Sequence, residues 1–271
     1  MKKAKAFAPA NISCFFRLYD SDKPEMTGSL GAGFTLDKGA VATVRLSNRT
    51  SVFVNGKKQR QKTILDVVKK LTDKNVIVDI MADVPFGAGF GMSGASALAT
   101  ALALNRLLGL KKTRKELGMA AHIAEVENST GRGDVGGQFN GGIMAKFEKE
   151  PLRVERLRIR QDVIYYRVFG RINTKKVIDS REKVKRIDKA GDTALEKIKK
   201  AKDFNELIEI SKEFSINSGL LRDKEVINTI DSIEAEGGKA SMIMLGKSVF
   251  SNMPFRGCKK ARISGRGAGL L

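Results

Sequence analysis

A chain of 271 residues can bury roughly three quarters of its unfolded surface, enough for one or two closely joined domains, and a hydrophobic share of 42% excludes a disordered chain. The formal net charge of +20 is accompanied by only three tyrosines and no tryptophan. It is spread over both halves of the chain, which speaks against a nucleic-acid surface built on base stacking and for a solvated face that draws in small anions.

Cys14 and Cys258 show no metal-ligand spacing, as expected for free thiols in a reducing compartment. No run approaches the ~18 apolar residues of a membrane span. Lys5, Pro9, Asn11 and Arg17 interrupt what would otherwise resemble a signal peptide. The expectation is a cytoplasmic protein that engages no membrane and no nucleic acid.

In chain order, residues 4 to 18 read as a strand running into a loop that carries Ala8-Pro9-Ala10-Asn11. The glycine-rich GSLGAGFTLDKG before residue 40 reads as a hairpin or loop. Val41–Leu46 and Ser51–Val54 alternate enough to be strands paired about Ser47–Thr50, and Thr63–Leu71 has helical apolar spacing.

The central stretch begins with a β-branched run, Val76–Met81, followed by Pro85 and by glycines at 87, 89, 91 and 94. The segment ASALATALALNRLL then runs to Gly109. Glycine lets a backbone close in on a ligand. Ser93, Gly94 and Ser96 supply a helix start, whose first N–H groups lack internal partners and carry roughly half a positive charge. Strand, glycine loop and buried helix together make a phosphate site. GFGMSG also satisfies the dinucleotide pattern G-x-G-x-x-G, but the acid that pattern wants about 20 residues on would be Glu116, inside the helix start TRKEL.

Thr113 to Glu116 has the form of a capping box and opens a helix carrying the single histidine, His122, expected to be an ordinary structural partner. Glu125 and Glu127 lie near the end of that helix, where the dipole disfavours carboxylates, so a nearby cation would account for them. TGRGDVGGQ then reads as a polar loop in which Asp134 can approach a small ligand. Strands are expected at Ile143–Phe147 and Val163–Phe169, and charged helices from about residue 180, with a domain boundary between 170 and 180. Ala240–Leu245 reads as a strand. The following Gly246-Lys247-Ser248 is not a P-loop, because Ser241 stands where that motif needs glycine. ISGRGAGLL reads as a final turn and strand.

Pro85, Gly87, Ala88, Gly89, Phe90, Gly91, Met92, Ser93, Gly94, Ala95 and Ser96 together resemble the P-x-x-x-G-L-G-S-S-A phosphate loop of the GHMP small-molecule kinases. The departures are Phe90 for leucine, Met92 for the first serine and Gly94 for alanine. APANISCFF and TGRGDV are similar to the forms seen in the archaeal pantoate kinases of that family. Gly237 to Ser241 resembles a reduced version of its third motif.

The resemblance implies an α+β, two-lobed fold. Residues 1–175 would form an ATP-binding part like ribosomal S5 domain 2, and residues 176–271 a ferredoxin-like C-terminal part. It further implies ATP as co-substrate and Mg2+ held by Ser93 and Glu125, with Glu127 as the alternative ligand. Asp134 would accept the proton of a small hydroxy acid, pantoate, or alternatively mevalonate, homoserine or shikimate. Asn11, Ser13, Arg17 and Arg132 are the candidates near the acceptor, and a homodimer is compatible with the reading. The lysine that often follows A-P-G in the family is absent, leaving Arg17 or Arg132 to supply a cation.

Overall fold

The computed structural model describes residues 2–172 and 180–271. The expected boundary at 175/176 lies outside the described residues. Among the described residues, twelve strands form two sheets. In the larger, β1 (Lys3–Tyr19) and β2 (Gly28–Leu46) run antiparallel over nearly their whole length. The stretches expected to be loops, after Ala8 and across GSLGAGFTLDKG, are therefore strand. The glycines act there as space rather than as turns: a side chain at Gly33 would overlap the Ile12 carbonyl, and one at Gly39 the Ala8 carbonyl. Register shifts at Pro9/Asn11 and Ser13/Phe15 absorb the proline, which has no N–H for the ladder, and re-aim Asn11 and Ser13.

The second half of β2 pairs with β5 (Val76–Ala82) and its first half with β6 (Ile143–Lys146). β3 (Ser51–Val54) pairs parallel with β5 rather than with β2. A ladder from Ala40↔Ala82 to Leu46↔Val76 joins more backbone and buries more side chains than a hairpin about Ser47–Thr50 could. β3 turns back instead into β4 (Lys57–Lys58) through Asn55-Gly56, both at positive φ (47° and 77°), the dipeptide such a tight hairpin favours. A short β7 (Glu155–Arg156) extends β6, and β12 (Gly269–Leu270) borders β1.

The smaller sheet has the order β11 (Lys259–Arg262), β8 (Val163–Gly170), β10 (Lys247–Ser251), β9 (Ala240–Met242). T-shaped contacts of Phe34 with Phe204 and Phe250, each at 5.4 Å, join the two layers.

Helix α1 (Lys62–Leu71) packs against α2 (Met92–Leu108), which lies on β1 and β2. Alanine and leucine make α2 a strong helix former, and alanines 4, 6, 8 and 10 of β1 are buried. Small residues thus occur on both elements, which lets helix and sheet approach closely. Left-handed glycines bound it, Gly91 at φ 59° and Gly109 at φ 63°. α3 (Arg114–Asn128) opens on the expected capping box, with Thr113 accepting from the Glu116 N–H and Glu116 from the Thr113 N–H. α4 (Asp134–Asn140) is a short helix where a loop was expected. α5 (Arg181–Ile198), α6 (Phe204–Asn217) and α7 (Lys224–Ala235) form the C-terminal helical part. No described helix is long and apolar enough to cross a membrane.

Candidate active site

β5 delivers the chain into the glycine loop, where Gly87, Gly89 and Gly91 have φ of 75°, 89° and 59°. Only glycine adopts such angles freely. The loop's carbonyls are tied backwards. Gly87 accepts from the Ile172 N–H at 2.8 Å, Ala88 from Ser248 Oγ at 3.0 Å and Phe90 from the Asn11 N–H at 3.0 Å. The open face keeps the first N–H groups of α2 for an anion.

A turn at Ile243–Gly246 presses on the loop from behind, so that a side chain at Gly89 would stand 2.7 Å from the Met244 carbonyl. This turn, with Ser248, braces the loop, whereas Gly237 and Gly238 do not touch it. Those two residues follow α7, and Gly238 packs against Ile233 and Met253. Phe90, Met92, Ala88, Ala95 and Ser96 are buried. The Phe90 ring rests on Tyr166 at 5.3 Å, and Pro85 is half-buried at the loop's entry.

Two carboxylates meet the start of α2. Glu125 is buried on α3. Its Oε1 accepts from Thr130 Oγ1 at 3.1 Å, and a hydroxyl chain of 3.1 Å steps runs on from Thr130 to Thr63 and Ser93. Burial first, and the charge of Asp134 second, push its pKa up to about 8 against the lowering effect of Thr130 and Ser93. Asp134 opens α4. Its Oδ1 accepts from Asn11 Nδ2 at 2.8 Å and from Ser13 Oγ at 3.3 Å. Burial raises its pKa, and those two donors oppose the rise.

Glycines make the room. A side chain at Gly91 would stand 2.9 Å from Asp134 Cγ and one at Gly94 2.7 Å from Glu125 Oε2, while one at Gly131 would overlap the Glu125 carboxylate. Ser13, Gly87, Gly89, Phe90, Gly91, Met92, Ser93, Arg132 and Asp134 line one cleft, to which Phe16, Leu18, Phe86 and Leu245 add apolar walls.

The donor set is oxygen only. Glu125 Oε2 is buried without a partner, and no group of three or more His, Cys, Asp or Glu able to hold a metal occurs among the described residues. A single buried carboxylate with an unpartnered oxygen, linked through hydroxyls to Ser93, fits a hard divalent cation bound through one or two carboxylates and completed by phosphate oxygens and water. Glu127, the alternative, pairs with Lys70 at 2.9 Å on the surface.

Of the two cation candidates, Arg17 binds Asp192 at 2.9 Å and does not line the cleft. Arg132 lines it while pairing with Asp20. His122 is buried with Nε2 2.9 Å from the Thr27 carbonyl, the structural partner expected.

Two residues escaped the sequence reading. Gln138, one turn after Asp134, is fully buried and donates from Nε2 to the Gly91 carbonyl at 2.7 Å. Lys146 is buried on β6, donates to the Pro151 carbonyl at 3.1 Å and Tyr19 Oη at 3.3 Å, and shares a second cavity with Asn11, Ser13 and Ser29. Burial lowers its pKa to about 8. The available signal was a lysine closing IMAK, whose four residues are all buried.

A helix N-terminus wrapped by a glycine loop, with two carboxylates converging on it and neutral donors fixing one of them, is an apparatus for moving a phosphoryl group to an alcohol, the work of a small-molecule kinase. Residues 60–142 match the family model for the GHMP kinases N-terminal domain. The chain is 34% identical to the pantoate kinase of Methanocaldococcus jannaschii, over 90% of each chain. It is 32% identical to that of Thermococcus kodakarensis, over 95% of this chain and 90% of the relative. A solved structure described as a phosphotransferase related to the CoA biosynthesis pathway superposes with a TM-score of 0.88 at 27% identity, covering 99% of this chain and 98% of the other. The chain belongs to the GHMP kinase family.

Proposed function

We propose that this chain is an ATP-dependent pantoate kinase, transferring the γ-phosphoryl group of ATP to the primary hydroxyl of pantoate to give 4-phosphopantoate on the route to coenzyme A. The reading rests on Asp134, fixed by Asn11 and Ser13 at the cleft that the glycine loop opens on. It is supported by relatives named for that activity that match end to end rather than locally. The two free thiols accord with a cytoplasmic enzyme.

Phosphoryl transfer asks the protein mainly for positioning and charge neutralisation. The N–H groups of Gly87 to Ser93 and of the first turn of α2 hold the triphosphate. Asn11 and Ser13 keep one Asp134 oxygen occupied, leaving the other to orient the acceptor hydroxyl and take its proton as the oxygen attacks phosphorus. ADP leaves with the bridging electron pair. Ser93 and Glu125 would hold Mg2+, which supplies charge neutralisation at the phosphates. Lys146, buried in a cavity shared with Asn11 and Ser13, is a cation placed to meet the acceptor's carboxylate, for which the sequence alone points to no residue.

An ADP-release assay with Mg-ATP and a panel of pantoate, mevalonate, homoserine and shikimate tests this. Release should be fastest with pantoate. A clear preference for mevalonate or homoserine would overturn the acceptor and keep the kinase.

A further inference from the structure

Among the described residues, three buried side-chain atoms lack a hydrogen-bond partner: Ser96 Oγ, Glu125 Oε2 and Gln138 Oε1. The two carbonyl-type oxygens among them converge. A side-chain carbon at Gly94 would stand 2.7 Å from Glu125 Oε2 and 2.8 Å from Gln138 Oε1. Two acceptors that share one small buried space are costly unless a proton on the carboxyl, another donor or a cation joins them.

Gln138 cannot relieve this by turning its amide over, because Nε2 donates to the Gly91 carbonyl at 2.7 Å and the flipped group would set oxygen against oxygen there. Nor does the chain fill the space with carbon. Position 94 is glycine where the resembling loop has alanine, and a methyl group would strike both oxygens.

We propose that Gln138 is a positioning residue for the metal-nucleotide complex, with separate tasks at its two ends. Nε2 fixes Gly91, the left-handed residue from which α2 and its anion-binding N–H groups start. Oε1 stands beside Glu125 Oε2 to accept a hydrogen bond from water carried by the divalent cation that Glu125 and Ser93 would hold. The inference rests on the kinase reading. Mg2+ retains several of its waters when bound, and residues that receive hydrogen bonds around a metal typically change its affinity by 10- to 100-fold.

Binding of fluorescent ADP, with Mg2+ titrated and with EDTA, separates the two tasks, since the ratio of the two affinities is the gain due to the metal. Gln138→Leu should cut that gain by about 10-fold or more. Gln138→Glu keeps an oxygen at the site but loses the bond to Gly91, so it should weaken metal-free binding while the gain is kept or raised. Gly94→Ala leaves the Gly91 bond in place and pushes the oxygens apart, so it should reduce the gain alone.

If Gln138→Leu weakens binding equally with and without metal, the residue is only a clamp and the proposal falls. If Gln138→Leu does not fold, an unchanged gain in Gly94→Ala overturns it just as well. Wild-type protein that binds no ADP in either condition would instead overturn the kinase reading, a result that does not depend on any variant.

Discussion

Asp134→Asn changes one atom at the centre of the site, and its consequences for rate and for stability run in opposite directions. The asparagine fits the same space, and its Oδ1 can keep the 2.8 Å bond from Asn11, but it cannot take a proton. Loss of a positioned base typically costs 10² to 10⁴ in rate, which is ~3 to 5 kcal/mol on the barrier at about 1.4 kcal/mol per decade. The wild-type acid is itself strained: it is buried, its pKa is raised, and its charge contributes to lifting Glu125 to about 8. Removing that charge relieves an imperfectly solvated ion, which is of order 1 to 3 kcal/mol in favour of the fold and roughly 2 to 10 °C in Tm for a chain of this length. Pantoate-dependent ADP release and thermal unfolding in EDTA measure the two effects. A turnover within about fivefold of wild type would refute the base assignment, and a lower Tm would refute the argument that the paired acids cost stability.

His122 tests the pH logic away from the acids. Burial holds its pKa down at about 4, so the unfolded chain takes up its proton near 6.5 before the folded one does. Its contribution to stability is fully present above 6.5 and is lost as pH falls towards 4, so the Tm difference between wild type and His122→Gln should shrink over that window. A difference independent of pH would exclude a buried neutral imidazole. Glu125→Gln should abolish metal-dependent nucleotide binding, whereas Glu127→Gln breaks a half-exposed pair with Lys70 and should alter stability by under ~1 kcal/mol with turnover unchanged. Equal losses in the two would return the metal site to open question. Gly246→Ala places a carbon where the Ala88 carbonyl lies. It should weaken ADP binding by loosening the glycine loop, which a calorimetric titration reads directly. Lys146→Met should raise the KM for pantoate by about tenfold or more while leaving the KM for ATP near wild type, since a buried charge pair is worth at least about 1.4 kcal/mol. Equal changes in both would remove Lys146 from the acceptor side.

The parts of the fold legible in the sequence are those whose signal is local. α2 carries its own composition and two bounding glycines, α3 its capping box, and β5 its alternation of buried Val76, Val78 and Ile80. The pairing of β2 with β5 instead of β3 was not legible, because strand neighbours are chosen by which ladders bury more and not by which turn is nearest. The glycines of β2 misled for a related reason. Gly33 and Gly39 suggest a hairpin or loop, whereas the backbone of β1 crowds the space where their side chains would be. Asp134 was placed in a loop because Gly136 and Gly137 disfavour helix by up to ~1 kcal/mol each relative to alanine. Their missing side chains instead let α4 close on the Pro151 carbonyl and on Asn11.

For the site, the sequence yields the identities of the charged residues but not their convergence. Glu125 and Asp134 are separated by Ser129 in a left-handed turn and by Gly131, which has no room for a side chain beside the carboxylate of Glu125. Gly91 and Gly94 do the same on the facing helix. Each of these glycines reads in one dimension as a phosphate-loop residue or a turn, yet each stands where an acid passes. The motif therefore describes two things at once, a backbone able to wrap an anion and a set of vacancies cut to admit the carboxylates that act on it. In this chain a carbon at 94 would stand 2.7 Å from Glu125 Oε2 and 2.8 Å from Gln138 Oε1, so the helix start and the side chains facing it are fitted to one another.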